Sequence, residues 1–565
     1  MKEGKKINDI FNGNRILEIP FFQRAYVWKE TQWERMLEDM EEVSQSKKPY
    51  FLGSVILKQQ PTDTNEQVGD KRTVIDGQQR LTTLNILFKV LCLKTNQNQK
   101  FERYFTLDEN QIALKHSHND IDNFNKIINL TELLNIEDKG NNIIDAYNYF
   151  KENINPEKLD FVTILANILF IVIDLDENEN EQQIFDTMNS LGVTLTTAEL
   201  LKNYFFNRDY NSYEIFWKNI FEKDEDTKNY WDKKIMAGRL PRTFIDLFFF
   251  SYLQIKIQDK SFKIKTEDKI EFSKVEHLFE SYKKFIKDYL GNDKSQIIKE
   301  IKEYAEIFKN NFDFDVIERP LPLNAGIERI NALIFGLDNS TLIPYVLYVI
   351  KNVSNDNVRN ELFEYIESYI MRRMIVRANN KNYNRLFTDN LIINEILSKQ
   401  EFANHIEKQS DKTNYMPFDN ELWEKGFDTS ILINKQSAGI LYFIESKIRK
   451  YTLHSTQLLG LNKYSLEHIM PKKWENNWGV IDDENLKRER DRKLLTLGNL
   501  TIITQPLNSK IRDANWQDKK EKGLNLYSAG LETISQYLNL SEWNEATISL
   551  RAENLFNKAK EIWKL

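Results

Sequence analysis

The sequence predicts a multidomain α+β protein in which helices predominate. Its 565 residues suffice for three or four domains of about 150 residues each. Hydrophobic residues make up 41% of the chain and charged residues 29%, while glycine (18) and proline (11) are few, a balance typical of helix-rich globular proteins. Strand patterns lie near both ends of the chain, with helical periodicity between them. We therefore expect a small α/β domain (1–207), a predominantly helical spacer or coupling region (208–434) and a ββα unit embedded in helices (435–565).

Charge and cysteine content restrict the class of protein. The net charge of −7 argues against a protein coated in positive charge, yet a local basic groove would suffice for DNA binding. The single cysteine, Cys92, excludes an intramolecular disulfide and a cysteine-based zinc cluster, and it fits a reducing compartment. No apolar run approaches the roughly 18 residues of a membrane span. We expect a cytoplasmic protein with no membrane partner.

The first informative segment joins a short strand to a helix. Pro20 ends the strand, and the helix begins after Lys29. The aromatic side chains around them are expected to pack this segment onto a core. Gln23 and Arg24 lie between strand and helix, where a polar pair points into a cleft or to solvent.

A second segment places a tight turn at the start of a helix. The patterns predict strands at Tyr50–Gln60 and Thr73–Ile75, a turn at Asp76 and Gly77, and a helix from residue 78 or 79. A glycine turn that leads into a helix N-terminus offers free backbone N–H groups and a positive dipole end. The segment therefore predicts an anion site.

Side chains beside this turn add to the anion site. Gln78, Gln79 and Arg80 would supply donors around a phosphate, and Arg80 can bind two oxygens at once. Asp76 could hold a metal ion or a sugar hydroxyl. The alternative is an ordinary Asp-Gly turn with solvent-facing Gln and Arg side chains.

The N-terminal motifs together identify a family resemblance. The segments I-P-F-F-Q-R-A-Y-V-W, F-L-G-S-V and I-D-G-Q-Q-R-L-T-T-L resemble the N-terminal domain of GmrSD-type, modification-dependent (type IV) restriction enzymes. That domain is similar to the ParB/sulfiredoxin fold. The resemblance implies nucleoside triphosphate binding and hydrolysis centred on Asp76–Arg80, with Gln23 and Arg24 nearby. A later match, F-D-T-M-N-S-L-G followed by E-L-L-K-N, implies that Asn189 and Lys202 complete the pocket; the alternative is that they make helix-end contacts. The chain has no P-loop motif.

Local patterns predict further elements of the first domain. Asn167–Leu175 is the clearest buried strand, and a helix at Gln182–Ser190 follows it. The next helix is expected to be capped by Thr196 with Glu199.

Helical periods continue through the rest of the chain. Phe244–Ile257 is one example, and Leu531–Leu565 is expected to form two ordinary amphipathic helices.

Two charged clusters elsewhere carry weaker predictions. His116 and His118 form an H-x-H pair in a polar stretch, where exposed residues are favoured over a metal site. Met371–Arg377 is a basic stretch of helix that either contacts DNA phosphates or is simply solvated.

The C-terminal domain contains the pattern strand, loop, strand, helix. S-L-E-H-I-M-P predicts a strand stopped by Pro471, and Leu497–Thr504 predicts a second strand. A helix is expected from Asn508 or Ser509. The connection, Lys472–Lys493, is interpreted as a loop whose basic and Trp residues either follow a phosphate backbone or are exposed.

This arrangement can supply the chemistry of phosphodiester hydrolysis. His468 can be the base that activates water, and Asn499 can orient it. Glu467 and Asn508 offer hard oxygen ligands suited to Mg²⁺ or Mn²⁺. Taken alone, the Glu-His pair could equally be a strand end with a hydrogen-bonded histidine.

The ordered set E-H-I-x-P, G-N-L and L-N-x-K resembles the HNH (ββα-metal) nucleases. The resemblance implies His468 as general base, Asn499 as its orienting residue, Glu467 and Asn508 around one divalent metal, and Lys510 near the scissile phosphate. The chain departs from the commoner pattern at two of these positions: glutamate replaces the usual aspartate, and asparagine stands where the last histidine is expected.

The sequence thus predicts a nucleotide-dependent HNH endonuclease that restricts foreign, modified phage DNA. Its expected cofactors are Mg²⁺ or Mn²⁺ and a nucleoside triphosphate, and its expected partner is double-stranded DNA. Cutting both strands together would call for two nuclease sites, hence a homodimer. The alternative is a nucleotide-controlled DNA-binding or toxin-like regulator whose HNH unit is inactive or nicks slowly. A structural helical protein with fortuitous motifs ranks last.

Overall fold

The computed structural model divides the chain into two compact units, Met1–Asn211 and Ser212–Leu565. The second unit holds both the helical region and the C-terminal strands, and the three-domain division stays a prediction. No described helix is both long enough and apolar enough to cross a membrane. The structure describes residues 4–11, 15–20, 23, 25–60, 70–107, 111–116, 120–136, 140–176, 196–206, 209–237, 240–408, 412–429, 434–449, 458–525 and 531–565.

A six-stranded mixed sheet organises the first unit. Its strands are β1 (Lys5–Lys6), β2 (Arg15–Glu18), β3 (Tyr50–Gln59), β4 (Asp70–Asp76), β5 (Leu114–Lys115) and β6 (Ile168–Leu175). They lie in the order β1-β6-β3-β4-β2-β5. β3 pairs parallel with β6 and antiparallel with β4, and β2 pairs parallel with both β4 and β5. The strands predicted around residues 50–60, 73–75 and 167–175 are therefore present, as expected from their β-branched and aromatic content.

Helices pack on this sheet. Those of seven or more residues are α1 (Glu30–Ser46), α2 (Gln78–Lys94), α3 (Asn98–Phe105), α4 (Ile121–Ile128), α5 (Asn142–Asn153), α6 (Phe161–Asn167) and α7 (Thr197–Phe206). Helix α2 is buried from Leu81 to Leu93 without a break, because it is apolar on nearly every side. Helix α7 begins with the capping box expected from its sequence: the Thr196 amide donates to Glu199 (2.9 Å), whose amide donates to Thr196 Oγ1 (3.2 Å).

The second unit is mainly helical. Its helices of seven or more residues are α8 (Glu225–Asp232), α9 (Phe244–Lys256), α10 (Thr266–Phe272), α11 (Leu278–Tyr289), α12 (Ser295–Asn311), α13 (Ile343–Asn352), α14 (Asp356–Ile375), α15 (Lys399–Lys408), α16 (Asn434–Ile448), α17 (Glu484–Leu494), α18 (Gln505–Ile511) and α19 (Glu545–Ile562). Two short sheets accompany them, β7 (Lys234–Ala237) with β8 (Leu240–Thr243), and β9 (Tyr464–His468) with β10 (Leu500–Thr504). Aromatic rings fill much of the core; Trp217, for example, stacks on Phe249 with centroids 5.4 Å apart.

The basic stretch Met371–Arg377 does not present a phosphate-binding face. Arg372 and Arg373 are completely buried in α14, so this part of the prediction is wrong. Arg373 donates to the carbonyl oxygens of Tyr415, Asn379 and Thr413, each at 2.7 Å. Both arginines hydrogen-bond to carbonyl oxygens of neighbouring loops, and these bonds satisfy the donors of the buried guanidinium groups.

Two other expectations need correction. The connection Lys472–Lys493 is not mainly a loop, because its second half forms α17, capped by Asp483. His116 is buried rather than exposed, and its Nε2 lies 2.7 Å from Thr82 Oγ1. Burial lowers the pKa of His116 to about 3, so the ring is neutral. His118 and the helix expected at 182–190 lie outside the described residues.

Candidate functional site

β9, β10 and α18 follow the predicted order strand, strand, helix and together form a ββα unit. The second strand begins only at Leu500, because Leu497–Asn499 of the predicted strand Leu497–Thr504 form a turn of 3₁₀ helix. β9 pairs antiparallel with β10, which places His468 opposite Leu500 and Glu467 opposite Thr501. Helix α18 begins at Gln505 with Thr504 as its N-cap, earlier than the sequence suggested, so Asn508 lies inside the helix. The Asn508 Nδ2 donates to Ser465 Oγ (3.1 Å) and to the Leu466 carbonyl (3.2 Å), and thereby ties α18 to β9.

Asn499 uses its whole side chain to hold the loop that follows His468. Its Nδ2 donates to the carbonyls of Met470 (2.8 Å) and Leu494 (3.1 Å). Its Oδ1 accepts from the Met470 amide (2.9 Å) and from Trp543 Nε1 (3.0 Å). An amide side chain has two donor hydrogens and two acceptor lone pairs, so these four bonds use all of them. Asn499 can therefore orient His468 through the backbone at residue 470, not through a side-chain bond to the ring.

His468 is a half-buried histidine at the end of β9. Burial, helped by the nearby charges of Lys472 and Lys519, lowers its pKa to about 4. The ring is therefore neutral at neutral pH, the form in which a histidine can accept a proton.

Glu467 is paired with a buried lysine that the sequence analysis did not single out. Lys519 is completely buried, and its Nζ contacts Glu467 Oε1 and donates to the His468 carbonyl (2.9 Å). Burial raises the pKa of Glu467 and lowers that of Lys519, each against the effect of the other's charge. The only sequence signal for Lys519 is its position three residues after the buried Trp516, on the same side of the short helix Trp516–Lys519.

The predicted metal ligands fit a loosely held divalent cation. Glu467 and Asn508 supply hard oxygens from two elements of the ββα unit, and a Mg²⁺ ion that keeps most of its water needs no more than one or two protein ligands. A carboxylate has about four lone-pair positions, so its contact with Lys519 leaves capacity for a cation. The neighbouring ammonium weakens that capacity by charge repulsion. Within the described ranges no group of three or more His, Cys, Asp or Glu residues could hold a metal.

Several basic side chains lie on the surface of the same region. Lys510 is exposed in the last turn of α18, and Lys472 and Lys473 are exposed just beyond His468. Other basic residues of the connection are engaged in ion pairs: Arg490 contacts Glu545, and Lys493 Nζ lies 3.1 Å from Asp428. Their exposure to solvent makes Lys472, Lys473 and Lys510 candidates for contacts with DNA phosphates.

The Asp76–Gly77 turn, where the sequence predicts an anion site, leads directly into α2. Gly77 is the N-cap of this 17-residue helix, with φ of +99° in the left-handed region that favours glycine. Arg80 Nη2 donates to the Ser54 carbonyl (2.5 Å) and to Asp76 Oδ2 (3.1 Å). Gly53 leaves room for that guanidinium, since a Cβ at this position would lie 2.9 Å from Arg80 Nη1. The structure thus brings Asp76, Gly77 and Arg80 together at a helix N-terminus.

The remaining predicted pocket residues divide into two groups. Gln79 is buried, and its side chain accepts from the Val27 amide (2.9 Å) and donates to the Ala25 carbonyl (3.2 Å). Gln23 Nε2 likewise donates to the Val74 (2.6 Å) and Ile75 (3.0 Å) carbonyls at the end of β4. These two glutamines hold the backbone around the turn. Gln78 is half-buried at the first position of α2, Lys202 is buried in α7, and Arg24 and Asn189 lie outside the described residues.

Two further residues, Arg551 and Trp543, contact Asn499 or its neighbours and were not predicted from the sequence. Arg551 falls on the apolar side of α19, among the buried Ile548, Ala552 and Leu555. A lone arginine within such an apolar stripe is the sequence signal that could have revealed it.

Comparison with known families matches both ends of the chain. Residues 7–206 match the model described as the N-terminal domain of the GmrSD restriction endonuclease, and residues 351–558 match that of the C-terminal domain of GmrSD restriction endonucleases. The two matches together cover more than two thirds of the chain. The second begins within α13, so it includes part of the helical region as well as the ββα unit. No curated protein sequence matches the chain.

Proposed function

Because the chain belongs to the GmrSD restriction endonucleases, a family of DNA endonucleases that act in restriction, we propose that it is a nucleotide-dependent, metal-dependent HNH nuclease directed against modified phage DNA. The observation that carries the proposal is the ββα unit, which sets the neutral His468 at the end of β9 with its following loop fixed by Asn499. The protein would act in the cytoplasm, and paired cuts would require two copies.

In the proposed reaction, His468 takes a proton from the water that attacks the scissile phosphorus. Its neutral ring provides the acceptor, and the four bonds of Asn499 hold the backbone beside it in place. A divalent cation held by Glu467 and Asn508 would stabilise the charge on the leaving oxygen. Lys510, with the exposed Lys472 and Lys473, would bind flanking phosphates.

The first unit would bind a nucleoside triphosphate at the N-terminus of α2. Backbone N–H groups after Gly77 and the positive end of the helix dipole would receive phosphate oxygens. Arg80 already lies at this turn and would supply a charge-assisted donor, while Asp76 would contact a metal ion or a sugar hydroxyl. Gln23 and Gln79 would support the turn from behind.

Nucleotide would control cleavage by favouring one of two conformations. Such coupling requires that the nucleotide bind one conformation more tightly than the other. The prediction that distinguishes this proposal is that a change at Arg80 alters DNA cleavage, although Arg80 belongs to the first unit and His468 to the second.

One observation favours the alternative, a nucleotide-controlled DNA-binding regulator with a slow or inactive nuclease. The ammonium of Lys519 partly neutralises Glu467, which reduces the attraction of that carboxylate for a cation. In that case nucleotide and DNA would bind while cleavage stayed negligible.

Cleavage assays with matched variants test the proposal. Unmodified plasmid and heavily modified phage DNA are incubated with Mg²⁺ or Mn²⁺, with and without nucleoside triphosphate. We expect His468→Ala to lose at least about 100-fold in rate, the usual contribution of a general base. The control is His277→Ala, an exposed histidine of the same unit, which should cleave as wild type. Arg80→Ala should remove the response to nucleotide.

The outcomes separate the hypotheses. Cleavage that needs His468, prefers modified DNA and responds to Arg80 supports the coupled restriction enzyme. Cleavage that ignores modification and nucleotide leaves an HNH nuclease without a sensor. Nucleotide and DNA binding without cleavage would establish the regulator instead.

A further inference from the structure

We propose that Arg551 and Trp543, in the C-terminal segment 531–565, are positioning residues of the nuclease. They hold the loop Leu497–Leu500 and the side chain of Asn499, and through Asn499 they hold the backbone that follows His468. The inference rests on the proposed nuclease function and assigns part of that site to a segment predicted to be only two ordinary amphipathic helices.

The side chain of Arg551 binds main-chain carbonyl groups of the loop. The side chain is completely buried, and its Nη1 lies 3.1, 2.8 and 2.7 Å from the carbonyl oxygens of Leu497, Gly498 and Leu500. Its Nε donates to the Thr533 carbonyl (2.9 Å). Burial lowers the Arg551 pKa to about 10, so the guanidinium remains charged at neutral pH. One rigid, charged group therefore joins the loop on both sides of residue 499 to the C-terminal segment.

The loop also lies directly on helix α19. A Cβ at Gly498 would be 2.1 Å from the Ile548 carbonyl oxygen and 3.0 Å from the Ala552 Cβ. Only glycine allows this approach, which explains the glycine of the G-N-L motif by packing rather than by a turn. Arg551 is one position before Ala552, so the guanidinium meets the loop next to this close approach.

Trp543 reinforces the orientation of the Asn499 amide. Its indole N–H can only donate, and it donates to Asn499 Oδ1 at 3.0 Å. The Nδ2 must then face the carbonyls of Met470 and Leu494, as observed. Trp543 is itself buried against Trp516, with ring centroids 5.1 Å apart. The indole and the Met470 amide thus favour the same amide orientation over the flipped one.

Glu445 of α16 in turn holds the backbone that supplies the Thr533 carbonyl. This completely buried carboxylate accepts from the backbone amides of Glu532 (3.0 Å) and Thr533 (2.9 Å). Thr533 is also the residue whose carbonyl binds Arg551 Nε. Hydrogen bonds to a charged group are about twice as strong as neutral ones, so Glu445 gives Arg551 a fixed support.

The contacts end next to the proposed base. The Ile469 amide donates to the Asn499 carbonyl (2.9 Å), and the Met470 amide donates to Asn499 Oδ1 (2.9 Å). A shift of the loop therefore moves the two residues that follow His468. Misplacing a catalytic group by about 1 Å can cost about 100-fold in rate.

The test compares conservative variants in the full-length protein. Trp543→Phe keeps the ring and removes the indole N–H, and Arg551→Lys keeps the charge but loses the planar, multi-donor group. The matched control is Arg373→Lys, because Arg373 is equally buried and also binds three loop carbonyls, but none of them belongs to the loop Leu497–Leu500. Single-turnover cleavage, DNA affinity and melting temperature are measured for each.

We expect Trp543→Phe and Arg551→Lys to lower the single-turnover rate about 10- to 100-fold while DNA Kd changes less than about threefold. Arg373→Lys should lower the melting temperature by a similar amount and leave the single-turnover rate unchanged. A rate for Trp543→Phe equal to wild type, or a loss for Arg551→Lys no larger than for Arg373→Lys, overturns the inference. If Arg551→Lys does not fold, the single-turnover rate of Trp543→Phe alone tests the inference.

A spectroscopic reading separates this inference from the nuclease proposal. In protein labelled with 5-fluorotryptophan, the Trp543 signal is identified by its absence in Trp543→Phe. We expect that signal to shift in Arg551→Lys and to stay in place in Arg373→Lys. If the wild-type chain does not cleave DNA, the proposed function is refuted. The fluorine signal of Trp543 still tests whether Arg551 holds the loop, and an unchanged signal in Arg551→Lys refutes that role.

Discussion

At the residue scale, Lys519 governs how Glu467 can act. Burial raises the pKa of Glu467 and lowers that of Lys519, and the direct contact between the two groups opposes both shifts. Lys519 also donates to the carbonyl of His468, which makes it part of the support of that residue. Removing only one partner of such a pair lowers the stability of the fold, because the other partner is left as a buried, unpaired charge.

We therefore predict that Lys519→Met lowers the free energy of unfolding of the second unit by about 3–5 kcal/mol. The double variant Glu467→Gln/Lys519→Met should regain part of the loss, since no charge is left unpaired. Urea denaturation followed by tryptophan fluorescence measures both. The control is Lys522→Met, whose side chain is 69% exposed and which should change little. Equal stability of Lys519→Met and Lys522→Met would show that the pair does not form.

At the element scale, an irregularity in β3 makes room for the proposed nucleotide site. The register between β3 and β6 shifts between Phe51 and Gly53, and Gly53 has φ of +120°. The bulge brings the Ser54 carbonyl to the guanidinium of Arg80 at the start of α2. Strand, turn and helix thus cooperate to place one arginine beside Asp76.

Gly53→Ala should consequently weaken nucleotide binding at least about tenfold, through the loss of one charge-assisted contact. The added Cβ would lie 2.9 Å from Arg80 Nη1 and push the guanidinium away from the turn. Isothermal titration with a nucleoside triphosphate measures the effect. Gly140→Ala is the matched control, because Gly140 has a similar φ of +108° and no atom within 4 Å of its added Cβ. Equal affinities of the two variants would contradict the role of Arg80.

At the scale of the whole molecule, the two proposed sites belong to different compact units. Each unit has its own buried core, so each is expected to unfold as a cooperative body. A ligand stabilises the unit that binds it, in proportion to the logarithm of its concentration over Kd.

Nucleoside triphosphate at 100 times its Kd should then stabilise the first unit by about 2.7 kcal/mol. Differential scanning calorimetry would show this as an upward shift of one transition, and Arg80→Ala should abolish the shift. Gly140→Ala again serves as control. A shift that persists in Arg80→Ala would place the nucleotide elsewhere.

Much of the fold could be predicted because its signals are local. Side-chain periodicity located β3, β6 and α9, and the Thr196–Glu199 spacing predicted the cap of α7. The order of polar residues in the C-terminal motifs predicted strand, strand and helix. The local sequence mispredicted a helix start where more than one residue could begin the helix. The pattern suggested that α18 starts at Asn508, whereas it begins at Gln505 with a proline in its first turn.

The sequence by itself determined the Asp76–Gly77 turn before α2 and the order strand, strand, helix in the ββα unit, because these depend on neighbours in the chain. The tertiary structure alone decided which charges are buried. Arg373, expected on a surface, is enclosed by loop carbonyls, and Lys519 reaches Glu467 from 52 residues away. Arg551 likewise binds Leu497–Leu500 from more than 50 residues away. A charged side chain becomes internal only when distant segments supply its partners, and no local pattern records where those partners will be.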